Sequence, residues 1–204
     1  MEIYIKDKDG VIFQDYIQSL KPPPGGWTSV VISKDVELIY PDAFEGSPIR
    51  GIVFEEGSLL VALESYAFRG SKLESIGIPP SCSWIGDSVF AGTPLKSIVF
   101  EAGSKLELIC DSTFADTPLQ SIRIPASVTR IDAMAFANCN LRSLAFESGS
   151  RLAKIHSTAF QGATTNLRSV VIPRFVEEIA DKAFYKSSIE TIEFEDGSRL
   201  KKIG

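Results

Sequence analysis

The sequence predicts a solenoid, a stack of short repeats that each contribute a parallel strand. Phenylalanine recurs at nearly constant spacing, a ten-residue phrase returns four times, and each repeat opens with alternating apolar residues. Units of this length bury no core of their own, so they have to stack on one another. The predicted architecture is therefore a row of rungs that share one continuous core.

The recurring phenylalanine sets the period of the repeat. Its successive spacings are 24, 22, 24, 22, 24 and 24 residues, through Phe44, Phe68, Phe90, Phe114, Phe136, Phe160 and Phe184. The longer units carry the repeated phrase, as in FEEGSLLVAL (54–63) and FEAGSKLELI (100–109). A period of about 20 to 29 residues is typical of leucine-rich repeats. We expect about seven and a half units of alternating 22 and 24 residues over residues 28–204, and a natural chain that continues past this truncated last unit.

The positions within one unit predict its local structure. In SIVF (97–100), alternation turns Ile98 and Phe100 inward and Val99 outward, as a strand requires. Residues that begin or cap a helical turn, such as Asp111, mostly stand three positions before the recurring phenylalanine. We therefore expect short parallel strands, one 3₁₀ or helical turn per unit on the convex side, and a column of stacked phenylalanine rings there.

The stretch IRIPASVTRIDAMAFANCNL (122–141) carries a family resemblance. It resembles the BspA-type leucine-rich repeat, a class abundant in surface proteins of oral and gut bacteria and of parasitic protists. The resemblance covers about residues 28–204. It implies a cell-surface or extracellular adhesin or antigen that binds host or bacterial proteins.

Residues 1–27 do not follow the repeat. The segments EIYIK and VIFQDYI flank DKDG, which predicts two strands joined by a turn. We interpret them as a β-hairpin cap, followed by the Pro/Gly linker KPPPGGW. Because DKDG lacks the later acidic ligands of an EF-hand loop, a hairpin turn is the better interpretation than a calcium site.

Composition and charge exclude several classes of partner. The net charge is −5, with Lys and Arg scattered singly, so there is no basic stripe for nucleic acid. No run of about 18 apolar residues is present for a membrane span. The N-terminus MEIYIKDKDG lacks the basic start and apolar core of a signal peptide. That last observation favours an alternative location in the cytoplasm.

Catalytic chemistry has one candidate pair, which spacing argues against. Cys110 and His156 fall in the same column two rungs apart, about 10 Å, which is too far for a nucleophile and its base. We expect both to be exposed turn residues. Cys82 and Cys139 fall in apolar and small columns and are expected to be buried. We therefore predict no enzyme activity, disulfide, metal site or cofactor.

A protein ligand is the remaining prediction, and the outward strand residues are where it would bind. Glutamates repeat on alternate rungs of the concave sheet, although they also suit a purely structural role at strand ends. Arg123, Ala145, Glu193 and the insertion at 163–166 are better specificity candidates, because stacking does not require them. The predicted binding residues are Val31, Val53, Glu55, Val99, Glu101, Arg123, Glu147, Glu193 and Glu195.

The sequence thus leaves two hypotheses for function. The first is an adhesin or surface antigen that binds proteins through the concave sheet and the variable loops. The second is an intracellular interaction scaffold, or the regulatory arm of a larger protein. Neither the ligand nor the oligomeric state follows from the sequence.

Overall fold

The computed structural model is a solenoid of parallel strands, and it describes residues 2–5, 11–12, 29–163 and 167–204. Each rung contributes a four-residue strand and a two-residue strand. The four-residue strands are β1 (Glu2–Ile5), β3 (Ser29–Ile32), β5 (Gly51–Phe54), β7 (Ser75–Ile78), β9 (Ser97–Phe100), β11 (Ser121–Ile124), β13 (Ser143–Phe146), β15 (Ser169–Ile172) and β17 (Thr191–Phe194). The two-residue strands are β2 (Val11–Ile12), β4 (Leu38–Ile39), β6 (Ala62–Leu63), β8 (Trp84–Ile85), β10 (Leu108–Ile109), β12 (Arg130–Ile131), β14 (Lys154–Ile155), β16 (Glu178–Ile179) and β18 (Lys202–Ile203).

Two rows of parallel sheet run along the stack. The four-residue strands pair in the order β1-β3-β5-β7-β9-β11-β13, with β15 and β17 forming a separate pair. The two-residue strands form the sheets β2-β4-β6-β8 and β10-β12-β14-β16-β18. Equivalent residues of neighbouring units stand side by side, as Ile98 does with Ile76. The predicted solenoid with short parallel strands is confirmed.

The N-terminal strands differ from the predicted hairpin. β1 pairs in parallel with β3, and β2 pairs in parallel with β4, so the two strands form an edge rung and do not pair with each other. The register places Val11–Ile12 beside Leu38–Ile39 of the unit that follows. The DKDG turn and the predicted linker lie outside the described residues, and the domain boundary at residue 27 stays a prediction.

The core is a column of phenylalanines flanked by aliphatic columns. Consecutive rings from Phe44 to Phe184 are stacked, with centroids 4.9 to 5.8 Å apart and planes within 14° of parallel. All of them are fully buried except Phe184, which lies near the end of the stack. Each ring removes about 150 to 250 Å² from water, so this column dominates the packing. The predicted aromatic column is confirmed.

The turn that carries each phenylalanine is not helical, which corrects the predicted 3₁₀ or helical turn. In the unit around Phe44, the N–H of Glu45 donates to the Asp42 carbonyl (2.9 Å), but the N–H of Phe44 donates to Ala67 of the next rung (2.7 Å). Asp42 and Gly46 have φ of 60° and 63°. A helix requires negative φ and consecutive internal bonds. Alternate N–H groups leave the turn instead and join neighbouring rungs.

Candidate interaction surface

The outward side chains of the four-residue strands form the long-strand face, the surface that the sequence predicts as the concave sheet. Strand register places Val31 beside Val53, Val53 beside Gly77, and Gly77 beside Val99. Val53 and Val99 are 54% and 62% exposed, and a Cβ at Gly77 would meet nothing within 4 Å. The two valines therefore flank an open notch, about 10 Å apart across two strand spacings.

Two charged residues of the long-strand face have no structural partner. Arg123 follows Val99 by one strand, and Glu193 stands beside Val171 on the last described strand pair. Both side chains are exposed, and neither forms an ion pair among the described residues. Ala145, beside Arg123, is half-buried. Of the insertion at 163–166, only Ala163 is described, and it is buried.

Three of the four repeated glutamates hold the backbone of the preceding rung. The carboxylates of Glu55, Glu147 and Glu195 accept hydrogen bonds from backbone N–H groups two residues past the preceding strand. These bonds are Lys34 N–H to Glu55 (2.9 Å), Ala126 N–H to Glu147 (2.9 Å) and Arg174 N–H to Glu195 (3.0 Å). A carboxylate that accepts a backbone N–H stabilises the turn. The glutamate column therefore has a structural role at these three rungs.

Glu101 is the exception in the glutamate column. The residue that stands where Lys34, Ala126 and Arg174 offer an N–H is Pro80, and proline has none. The Glu101 side chain is exposed and makes no hydrogen bond or ion pair with the described residues. Its carboxylate is therefore free to meet a ligand, and Glu101 lies one residue past the end of β9, two positions after Val99.

The Cys110 and His156 column contains a third residue that the sequence analysis overlooked. Asp132 lies on the rung between them, because Ile131 pairs with both Ile109 and Ile155. Its carboxylate accepts from Arg130 Nε at 2.6 Å and lies 3.6 Å from His156 Nε2. Asp132 therefore separates the thiol from the imidazole, and this order of groups does not form a nucleophile and base.

Cys110 is buried, so the prediction of an exposed turn residue is wrong for it. Burial, together with the negative charges of Asp87, Asp132 and Asp111, raises the pKa of its thiol to about 12. The thiolate, not the thiol, is the nucleophile. Cys110 therefore behaves as a packing residue at neutral pH.

The other two thiols are also buried, as the sequence predicts. Burial raises the pKa of Cys82 to about 11 and that of Cys139 to about 12. The Cys139 thiol donates to the Phe114 carbonyl at 3.0 Å, and the Cys82 thiol donates to the Trp84 carbonyl at 3.4 Å. All three cysteines are free thiols.

An exposed apolar cluster, which the sequence pattern did not predict, lies on the row of two-residue strands. Leu59, Val61 and Trp84 are 52%, 44% and 42% exposed. The sequence does hold a signal for them, because the equivalent positions of the other long units carry Lys105, Arg151 and Arg199 in place of Leu59. A comparison of each column against its own consensus, rather than a search for repeated residues, would have found this cluster.

The C-terminal end of the stack exposes apolar side chains for a structural reason. A cavity of about 650 Å³ at the C-terminal end of the stack is lined by Phe184, Ile192, Phe194 and Ile203, which belong to the stacking columns that the following rung covers elsewhere. The described residues contain no group of His, Cys, Asp and Glu side chains arranged to hold a metal ion. In the same part of the chain, no helix has the length and apolar character needed to cross a membrane.

The fold and its repeat define a leucine-rich-repeat solenoid. The chain matches the family described as the BspA type leucine-rich repeat region, in six copies, over residues 26–142 and 131–204. It therefore belongs to the BspA-type leucine-rich-repeat family. No curated protein matches the chain.

Two solved structures share the architecture. The pneumococcal vaccine antigen PcpA is 20% identical with a TM-score of 0.67, and the match covers 100% of this chain and 68% of that one. A leucine-rich repeat protein from Bacteroides ovatus is 18% identical with a TM-score of 0.56, covering 87% of this chain and 62% of that one. At these identities the likeness concerns the fold.

Proposed function

We propose that this solenoid is a protein-binding module at a cell surface, and that its ligand contacts the long-strand face around Val99, Glu101 and Arg123. The observation that carries the proposal is the free Glu101 carboxylate beside an exposed valine, at the one rung where Pro80 removes its structural partner. Stacking explains none of these three side chains. Exposed apolar and charged groups without a structural role are the usual material of an interface.

The ligand chemistry follows from this arrangement. An apolar side chain of a partner fits the notch at Gly77 between Val53 and Val99, and a basic side chain next to it reaches Glu101. Arg123 on the following strand suits an acidic or carbonyl group of the same partner. The partner is therefore a protein surface of mixed charge, bound in an extended form across the strands, along the axis of the stack.

Family and fold support the surface location. The BspA-type repeat and the fold shared with a vaccine antigen both favour an exposed protein. Antibody staining of intact source cells tests this part of the proposal. Staining without permeabilisation supports it, whereas staining that appears only after permeabilisation contradicts it and favours an intracellular scaffold.

A non-catalytic role is part of the same proposal. Solenoids of this repeat class act typically as interaction scaffolds. The buried Cys110 thiol and the intervening Asp132 give no support to a hydrolytic site. Turnover of any substrate that is lost in His156→Ala would contradict this.

Binding itself is tested with a double variant and a matched control. Val99→Lys combined with Glu101→Lys changes the proposed contact, and Glu45→Lys makes the same charge reversal on an exposed residue of the first phenylalanine turn. The probes are immobilised host matrix proteins and bacterial surface proteins. Loss of capture in the double variant, with capture kept in Glu45→Lys, supports binding through the long-strand face. Equal capture of the unmodified protein, the double variant and Glu45→Lys contradicts it.

A further inference from the structure

We propose that the outer surface of the two-residue strands around Trp84 is a second docking surface, for an extended peptide whose apolar side chain is flanked by lysine or arginine. This short-strand face consists of Leu59, Val61 and Trp84, with half-buried Leu38 and Leu108 beside them. It belongs to a different row of sheet from the long-strand face.

The repeat does not require apolar residues at these positions. Leu59 is replaced by Lys or Arg in the other long units, and Val61 by Glu107, Ala153 and Lys201. In the short units the position of Trp84 holds leucine, arginine or glutamate. Because other rungs stack with charged residues at these positions, packing within the solenoid does not explain why Leu59, Val61 and Trp84 are apolar.

The three side chains lie on adjacent rungs of the same outer surface, which we call the strip. The register pairs Trp84 with Ala62, the residue after Val61, and the Val61 carbonyl accepts hydrogen bonds from the N–H groups of Ser83 (3.0 Å) and Trp84 (3.3 Å). Residues 59 to 61 alternate exposed, buried, exposed, so Leu59 and Val61 point to the same side. An indole and two aliphatic side chains together give an anchor of the kind that dominates binding energy at interfaces.

A shallow cavity adjoins the indole. It measures about 440 Å³ and is lined by Ser83, Trp84, Glu107, Leu108, Thr129 and Arg130, among others. It spans the break in this row of sheet, since β8 ends one sheet and β10 begins the next. The Trp84 carbonyl accepts from the Cys82 thiol at 3.4 Å. The cavity has room for a side chain that packs against the indole.

The charges around the strip select a basic partner. Arg130 is paired with Asp132, and Lys154 is paired with Glu178 at 2.8 Å, so these cations are already neutralised. The exposed carboxylates of Glu37 and Glu107 form no ion pair within the described ranges. A lysine or arginine side chain of the partner can pair with the carboxylate at either end of the strip or contact the face of the indole between them.

The length of the strip fits a short extended segment. Glu37 and Glu107 stand on the rungs at its two ends, three rung spacings apart. At about 4.8 Å per spacing they are roughly 14 Å apart, which is the reach of four to five extended residues. An extended segment with a basic residue two positions before and two positions after an apolar residue directs all three side chains to one face. Such a segment places cations at both carboxylates and the apolar side chain at Trp84.

The test is fluorescence anisotropy with the fluorescein-labelled heptapeptide Ser-Lys-Ser-Leu-Ser-Lys-Ser, the lysine–leucine peptide, whose lysines and leucine share one face when it is extended. The controls are the same peptide with glutamate in place of both lysines, and the same peptide with serine in place of leucine. The variant Leu59→Lys with Val61→Glu installs the residues that occupy these two positions two rungs further on, Lys105 and Glu107, so the fold is expected to persist. We expect binding of the lysine–leucine peptide to weaken at least tenfold in this variant and to stay unchanged in Glu45→Lys, which lies outside both proposed surfaces.

A second measurement uses the indole itself. In a Trp27→Phe background Trp84 is the remaining tryptophan. Its emission is expected to shift to shorter wavelength when the lysine–leucine peptide binds. An unshifted emission, equal binding of either control peptide, or unchanged affinity in the Leu59→Lys, Val61→Glu variant would overturn the proposal. So would a dimer in sedimentation velocity that this variant dissociates, because a second copy would then cover the strip.

Discussion

Glu147 and Ala126, on consecutive rungs, are joined by a 2.9 Å hydrogen bond from the backbone N–H to the carboxylate. The same relation holds for Glu55 with Lys34 and is lost for Glu101, where Pro80 stands in place of the donor. One repeated residue therefore has two roles: a turn cap where a donor is present and a free charge where proline replaces it.

Replacing these two glutamates by alanine is expected to have different effects on stability. Glu147→Ala should lower the free energy of unfolding by about 1 kcal/mol, because the Ala126 N–H loses its acceptor. Glu101→Ala should change it by less than about 0.5 kcal/mol, because its carboxylate supports nothing in the fold. Urea denaturation of both variants measures this, and an equal loss in both would contradict the assignment of Glu101 as free.

A central phenylalanine is expected to contribute far more to the free energy of unfolding than a terminal one. Phe114 stacks on Phe90 and Phe136 and is fully buried, so Phe114→Ala should lower the free energy of unfolding by about 3 to 5 kcal/mol. Phe184 is only half-buried and stacks on Phe160 alone among the described residues. Phe184→Ala is the control and should cost clearly less; equal losses would show that the column does not act as stacked nearest neighbours.

The buried thiols should make the protein less stable at alkaline pH. The pKa of Cys82 rises from its ordinary 9.0 to about 11 on folding. The unfolded chain therefore loses this proton first, and the stability that the neutral thiol contributes falls as pH rises from 9 to 11. The limiting slope for one thiol is about 1.4 kcal/mol per pH unit.

The variant Cys82→Val tests this slope, since valine occupies the same column at Val36, Val128 and Val176. We expect nearly unchanged stability at pH 7 and a shallower alkaline loss than in the unmodified protein. Urea midpoints at pH 7, 9 and 10.5 measure both. Parallel curves for the two proteins would contradict the raised pKa.

A buried hydroxyl without a partner offers a stabilising substitution. Ser71 is buried and its Oγ finds no hydrogen-bond partner, whereas Thr117 in the same column donates to the Phe114 carbonyl at 2.8 Å. Ser71→Ala should therefore raise the free energy of unfolding by about 1 kcal/mol, and Thr117→Ala should lower it by about 1 to 2 kcal/mol. Thermal unfolding compares them, and destabilisation by Ser71→Ala would indicate an unseen partner for that hydroxyl.

The repeat predicted the core, because side chains that stack between rungs recur in the sequence at a fixed period. The phenylalanine column, the inward isoleucines and the parallel strands all follow from side chains that have to align between rungs. The turns were predicted less well. Capping residues suggested a helix, but the positive φ at Asp42 and Gly46 frees alternate N–H groups for the next rung. The positions equivalent to Asp42 also hold Tyr66 and Met134 at positive φ, which residue type does not predict.

The candidate surfaces show a similar division. Outward valines such as Val99 follow from strand alternation, and their exposure could be predicted. The role of each glutamate depends on a donor about 21 residues away, so only the rung-to-rung contact separates Glu101 from Glu147. The strip at Trp84 could not be predicted from the repeated residues, because its side chains differ from those at the equivalent positions of the other rungs.

The most direct test of the central claim is photo-crosslinking in source cells. The chain would carry p-benzoylphenylalanine either at Val99 on the long-strand face or at Asp111, an exposed residue of a phenylalanine turn. The account predicts a discrete adduct with another protein from Val99 and none from Asp111. Adducts from Asp111 alone, or equally from both positions, would contradict binding through the long-strand face.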